Sequence, residues 1–490
     1  MTDGPTTTDL TGALGTLIER CELDVPAAAE VIGRDPVLPT AVRVGDTAAV
    51  ALGALASGLA ELHWQSTGQR PTCQVDAAEA AAAVMSLFHT TVNGQPLVPV
   101  SDGSSGTDMS HANPTVDLYR TADERWIHLH GAFPHLAEAT LDVLGCTRSR
   151  EAIRDAVAAR QASELEEALA AARTCGAVAR TADEWIVHPH GQLLAATPPV
   201  AARFLGTSPA QGPIGGTQPL SGIRVLDLTR VIAGPTVGKL LAAHGAEVLQ
   251  VVPAGLDDFA TAVFDTGHGK WSAHGDLRTP GDADRLRELA AQADIVVTSA
   301  RAGTLDRYGF GAEALAERRP GIVVVSVNCF GFSGPWAPRP GFDHLAQAAT
   351  GLWHAGADGK PELVPAPVCD SVAGYLAAAG AVAALARTRR DGGSYHVTTS
   401  LARAAMWVQE FTPTPFTDEL APLDTTGLVV STRSEQGDVT HLRPPFRFAG
   451  IDAGWAHPAV ARGAHPLRWP AHDAGLPGRT PNDRSQLKEH

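Results

Sequence analysis

The chain has no surplus of positive charge. Its 38 Lys and Arg stand against 53 Asp and Glu, a formal charge of −15. A field of that sign argues against non-specific binding to nucleic acid or to anionic membranes, both of which need a positive surface. It leaves room for a local basic pocket that would take a phosphorylated cofactor. No two of the six cysteines (Cys21, Cys73, Cys146, Cys175, Cys329, Cys369) form a CxxC pair. There is thus no zinc framework, and the pattern suits a reducing compartment. The opening MTDGPTTTDLTG has neither a basic start nor an apolar core, so no signal peptide is expected. No run approaches the roughly 20 apolar residues that span a bilayer. A soluble cytoplasmic protein is the expectation.

What is present is globular in character: 490 residues, 44% hydrophobic and 19% charged, enough for roughly two to four domains. Pro- and Gly-rich stretches divide the chain at 96–114, at 206–216 (GTSPAQGPIGG, the best linker candidate) and at 412–415, after which the sequence is turn-rich and aperiodic. Segments 77–85 and 377–387 read as packed Ala-rich helices. Within 115–200, YRTADERWIHLHG alternates like a half-buried strand pair, and 151–172 has the spacing of one helix. Residues 222–330 change rhythm. The β-runs IRVLDL, EVLQVV, DIVVTS and GIVVVSVN are separated by helical segments, among them 236–244 and DADRLRELAAQA, the alternation of a parallel sheet covered on both faces. The turn after IRVLDL contains AGPTVG and lacks the GxGxxG fingerprint of dinucleotide binding. With a shift of 324 and no gaps, 46–85 lies over 370–409, placing Asp46 on Asp370, Gly68 on Gly392, and Ala80 and Ala81 on Ala404 and Ala405. Each copy is an Asp, a long Ala-rich helix, a Gly turn and a β-like stretch, which reads as an internal duplication.

Five blocks in order carry a family resemblance: PLSGIRVLDLTRVIAGPTVGKLLAAHGAEVLQV (219–251), GHGKWSAHGDLRTPGDADRLRELAAQADIVV, SARAGTLDRYGF (299–310), SVNCFGFSGPW with GFDHLAQAATGL (341–352), and PAPVCDSVAGYLAAAGAVAALARTRRDGG (365–393). Together they resemble the class III CoA-transferases, the family of formyl-CoA and carnitine CoA-transferases and 2-methylacyl-CoA racemases. The first 205 residues resemble the later part of such a protein. RTADERWIHLHGAFPHLAEATLDVLGC is similar to the small domain, and TCGAVARTADEWIVHPHGQLLAA to the terminal acyl-pocket region. The resemblance implies an α/β fold, a Rossmann-like parallel-sheet large domain plus a smaller α+β domain, in a fused and rearranged member. The implied boundaries are 1–105 for an N-terminal helical segment with the repeated Asp-helix unit, 106–205 for the small domain, 206–218 for a linker, 219–410 for the large domain, and 411–490 for a turn-rich C-terminal segment.

The family chemistry implies a carboxylate nucleophile at Asp370, which attacks an acyl-CoA and carries first the acyl group and then CoA. Read alone, Asp370 is equally a helix N-cap, and the two roles are compatible. Asp46 reads as a structural cap left by duplication. The family resemblance places Val231, Ala233, Lys270, Arg307 and Tyr308 against coenzyme A, the cations meeting its phosphates. Val252-Pro253-Ala254 and Asn328 stand where relatives carry charged groups. Asp343 and Gln347 share a helical face at i, i+4, and Asp343 reads as structural. The family's racemases have a His where this chain has Phe342, which cannot move a proton, and His344, the residue after Asp343, points about 100° further round a helix. DGSSG (102–106), with Gly103 and Gly106, sits roughly where the family has a mobile loop that excludes water, and also reads as an ordinary linker. His128, His130 and His135 suggest a metal, but no carboxylate or thiol completes a set and a surface strand is the preferred reading. The expected function is CoA transfer between an acyl-CoA and a carboxylic acid, without a metal or any nucleic-acid or membrane partner, in a homodimer. The alternatives are an acyl-CoA racemase or isomerase, or a non-catalytic, repurposed member.

Overall fold

The computed structural model describes residues 9–97, 113–256, 258–356, 359–414, 420 and 422–470. The first segment contains β1 (Ala29–Ile32), the long helix α1 (Val44–Thr67), β2 (Cys73–Asp76), α2 (Ala77–Val84) and the short strands β3 (Thr91–Val92) and β4 (Gln95–Pro96). The small α+β unit follows. Its β5 (Val116–Arg120), β6 (Trp126–His130) and β7 (Gly176–Val178) form one antiparallel sheet. Ile153, Val157, Leu165 and Leu169 cover that sheet from two helices, Arg150–Ala158 and Ala162–Ala171. The spacing over 151–172 predicted one helix. The structure breaks it at Arg160, whose carbonyl accepts from Ala122 N–H, while Asp123 accepts from Ala162 N–H and starts the second helix afresh.

The chain then runs through β8 (Ala201–Gly206) into the large sheet: β9 (Arg224–Leu228), α3 (Ala233–Ala243), β10 (Glu247–Val252), β11 (Lys270–His274), β12 (Ile295–Thr298) and β13 (Val323–Asn328). Next come α4 (Asp343–Thr350), the hairpin β14 (Trp353–Ala355) and β15 (Pro361–Leu363), the long helix α5 (Val368–Asp391), β16 (Ser394–Ser400) and α6 (Leu401–Val408). The order of the seven-stranded sheet is β11-β10-β9-β12-β13-β16-β8, parallel except for β8 at the edge. Strands such as β13, VVVSVN, are buried throughout, as a sheet covered on both faces requires. The order reverses between β9 and β12. In an open α/β sheet that switch point opens a crevice beyond the strand C-termini, and it places the turn after β9 opposite the loop after β12.

The tail after 411 is not aperiodic. It forms the hairpin β17 (Val429–Ser434) and β18 (Gly437–Leu442), followed by β19 (Arg447–Phe448). Polar side chains and short strands hid it from a pattern search. Strand β18 joins β3 and β4, and β19 pairs antiparallel with β2, which itself runs parallel to β1. The order β1-β2-β19 therefore has the same directions as β13-β16-β8. Adding 324 to both ends of α1 gives the ends of α5, and the same shift carries α2 onto α6. The edge strands are exchanged: β8, which leaves the first small unit, pairs with β16, and β19, which leaves the second hairpin, pairs with β2.

Helices α1 and α5 pack against each other, with Gly58 so close to Val382 that a Cβ there would meet it at 2.9 Å. Helix α5 is long and apolar enough to cross a membrane by length and composition, which corrects the expectation that no such segment exists, but that stretch is fully buried inside the protein.

Candidate active site

The N-terminus of α5 is held in place from outside the helix. Asp343, the first residue of α4, accepts from Asp370 N–H at 2.9 Å. Its other oxygen accepts from Gln347 Nε2 at 2.5 Å, and Gln347 Oε1 in turn accepts from Val364 N–H at 2.8 Å. One carboxylate and one amide thus fix the loop that leads into α5. The backbone N–H of Ala233, at the start of α3, lies near the Asp370 carboxyl and favours its ionised form. Gly374 permits that approach, since a Cβ there would lie 2.8 Å from the Ala233 carbonyl oxygen.

No hydrogen bond or ion pair joins the Asp370 carboxyl to a cation among the described residues. Burial, and then the neighbouring Asp343, push it well above the ordinary carboxylate range, and the Ala233 N–H pulls it back. Burial pushes Asp343 up as well. Two desolvated carboxyls this close hold a proton that isolated ones would release. The repeat-related Asp46 differs. Its N–H donates to Asp35 at 2.8 Å, as Asp370 N–H does to Asp343, but its carboxylate is ion-paired with Arg43, and both side chains are buried. Position 43 shifts onto Pro367, so the second copy of this geometry has no such cation.

The turn after β9 carries Val231 at φ +70°. A β-branched residue in that region is a steric outlier costing about 1–3 kcal/mol, found where the surroundings over-determine the backbone. Here the surroundings are Asp258, whose buried carboxylate accepts from Val231 N–H at 3.2 Å and pairs with Arg462 and Arg230. Facing this turn is an aromatic wall. Phe342 stacks on His130 with ring centres 4.7 Å apart and lies 5.7 Å from Phe133, which is 5.0 Å from Phe259. Phe133 and His130 belong to the small unit and Phe342 to the large one, so a single chain supplies both sides.

Of the residues expected to meet a cofactor, Ala233 stands near Asp370 and Val231 lies in the turn just before α3, while Arg307 and Tyr308 form a 3-10 turn across the switch point after β12. Arg307 is exposed and lies over the Tyr308 ring at 4.8 Å. Lys270 requires a correction. Its ammonium is fully buried under α3, 2.8 Å from Asp227 and 2.7 Å from the Pro235 carbonyl, so it closes a core ion pair and does not face the crevice. Asn328 is also structural, bonding both polar groups of Gly331. Arg301 was missed although it lies in the SARAGTLDRYGF block. It is half-buried, with no hydrogen-bond or ion-pair partner among the described residues, and together with Arg307 it gives the loop two unneutralised guanidinium groups. DGSSG (102–106) lies outside the described residues. His128 and His130 are buried, not on a surface strand as expected.

The profile of CoA-transferase family III matches residues 28–200 and 220–462. The chain belongs to that family. It is 30% identical over 320 residues to the acetyl-coenzyme A transferase nodX of Hypoxylon pulicicidum, covering 60% of this chain and 54% of that protein. It is 31% identical over 334 residues to an acyl-CoA transferase of Gibberella moniliformis, covering 62% and 58% respectively. The crystal structure of Rv3272 from Mycobacterium tuberculosis shares 31% identity with a TM-score of 0.38, covering 40% of this chain and 58% of that one. The chain spans about half the length of the curated relatives it matches.

Proposed function

We propose that this family III member is an enzyme that moves CoA from an acyl-CoA to a carboxylic acid, with Asp370 as the nucleophile. The observation that carries this reading is the contrast between the two repeat-related aspartates: Arg43 neutralises Asp46, whereas Asp370 has a nearby backbone N–H and a second carboxylate but, among the described residues, no ion-paired cation. An unpaired, desolvated carboxylate is the stronger nucleophile once ionised.

An Asp370 oxygen attacks the thioester carbonyl and the C–S bond breaks, giving an acyl-aspartyl anhydride and CoA thiolate. The thiolate then attacks the aspartyl carbonyl, releasing the first acid and leaving an aspartyl-CoA thioester. The acceptor carboxylate attacks that thioester, the thiolate leaves, and the thiolate attacks the acceptor carbonyl of the new anhydride. The new acyl-CoA departs and Asp370 returns as carboxylate, with no net proton change. In the two middle steps, where the aspartyl carbonyl itself is attacked, the Ala233 N–H beside Asp370 is placed to stabilise the charge that builds up on the aspartyl oxygen. Arg301 and Arg307 at the switch point are the cations available to the CoA phosphates, while Tyr308 and the strained turn at Val231 flank the cofactor. Phe342, part of the aromatic wall, cannot serve as the second acid–base group a racemase needs.

Incubation with acyl-CoA followed by hydroxylamine should leave a hydroxamate on Asp370, detected by mass spectrometry, and none on Asp46. An unmodified Asp370 across a broad acyl-CoA panel would defeat the reading.

The matched helices, the matched strand orders and the exchanged edges support an internal duplication in which one chain holds both partners of an interlocked pair. The small unit of the first half meets Phe342, next to Asp343, which supports a site built within one chain as the alternative to the homodimer expected from the sequence. Light scattering should give the mass of one chain at concentrations where trapping is complete. A two-chain mass that dissociates together with loss of trapping would overturn it.

A further inference from the structure

Three histidine rings converge where the small unit meets α4, and the transfer chemistry above uses none of them. His128 and His130 are two residues apart on β6 and share one face of the strand. His344 is the second residue of α4. The ring centres are 5.8, 5.3 and 5.6 Å apart, a nearly equilateral triangle. Its centre lies about 3.2 Å from each ring, the reach of a metal–nitrogen bond of about 2.1 Å added to the half-width of an imidazole. One nitrogen of each ring lies within 4.8 Å of the other two. Around a bound ion that spacing is roughly 3.5 Å, so the closure needed is at most about 1.3 Å, within reach of side-chain rotation.

The Nδ1 atoms of all three rings are buried and have no hydrogen-bond partner. Orphaned polar atoms are expensive to bury and uncommon in native interiors, about 1–3 kcal/mol each, and three in one place call for a shared occupant. Among the described residues no acidic side chain hydrogen-bonds or ion-pairs with any of the rings; the neighbouring Asp343 acts on His344 only electrostatically. His135 stands apart, its ring against Phe133. The carboxylate or thiol that the strand histidines lack in sequence is replaced by an imidazole more than 200 positions away.

We propose that His128, His130 and His344 form a three-histidine site for a divalent transition-metal ion of the zinc class. Three protein ligands leave a fourth position for water or another oxygen. Two ligands come from the small unit and one from α4, whose first residue holds Asp370. The ion therefore clamps the two units together beside the candidate active site, and the proposal does not depend on the transferase reading.

The test uses the full chain, stripped with a chelator and titrated with Co²⁺. The expected result is one equivalent of cobalt with visible d–d absorption, displaced by Zn²⁺, and a higher unfolding temperature in either metal. His344→Ala and His130→Ala should each weaken Co²⁺ binding at least about 100-fold, while His135→Ala leaves it unchanged. Circular dichroism reports whether each variant folds. A stripped parent chain that shows no saturable one-to-one cobalt spectrum overturns the site whatever the variants do. So does a folded His344→Ala that binds as the parent does, or a His135→Ala that loses as much.

Discussion

Asp370→Asn is expected to lower CoA transfer at least about 10⁴-fold, on the scale of other nucleophile removals, and to give a protein more stable than its parent at neutral pH. Asparagine fills the same space and keeps an oxygen near Ala233 N–H, but it cannot form an anhydride. The stability gain follows from proton linkage. Burial and Asp343 raise the folded pKa of Asp370, whereas in the unfolded chain it returns to about 3.9. Between those two values the folded state holds a proton that the unfolded state has released, so parent stability falls as pH rises across that window. The variant lacks this loss. Its advantage in urea midpoint should grow from about pH 4 upward and vanish below it. In the parent, kcat/KM should climb with pH above the ordinary carboxylate range as the Asp370–Asp343 pair gives up its proton. A variant that keeps its activity, or is less stable than the parent at every pH, would remove Asp370 from this role.

The second large effect belongs to the other half. Arg43→Met is expected to cost about 3–5 kcal/mol, because it leaves Asp46 buried without its cation. Urea unfolding measures the loss, and the double variant with Asp46→Asn should recover most of it, since the uncompensated charge is then gone. Trapping at Asp370 should continue in the folded fraction of both variants. An Arg43→Met protein as stable as its parent would mean that the pair contributes nothing. The contrast separates the two aspartates by experiment: one stabilises when removed and is needed for chemistry, the other destabilises when unpaired and is not.

The parallel sheet was legible because its strands are largely buried and rich in Val, Leu and Ile: Arg224–Leu228, Glu247–Val252, Ile295–Thr298 and Val323–Asn328. Strand β11, KWSAH, and edge strand β8, AARFLG, have few of these residues, and the hairpin Val429–Leu442 is built from half-exposed polar positions. The family resemblance assigned Asp370, Val231 and Ala233 to one site, and the start of α3 at Ala233 does lie beside the N-terminus of α5. The resemblance misplaced Lys270 against the cofactor, because only the tertiary fold shows Asp227 beneath it. The sequence could not show the third histidine of the cluster, because residues on β6 and α4 become neighbours only through the contact of two separate units.

The swapping of β8 and β19 has a consequence for any truncation of this molecule. Neither half owns a full set of strands: β8 pairs with β16 and β19 with β2. Removing the half with the neutralised aspartate would leave the edge of the large sheet bare and strand β19 without its seat, so neither half is expected to fold well alone.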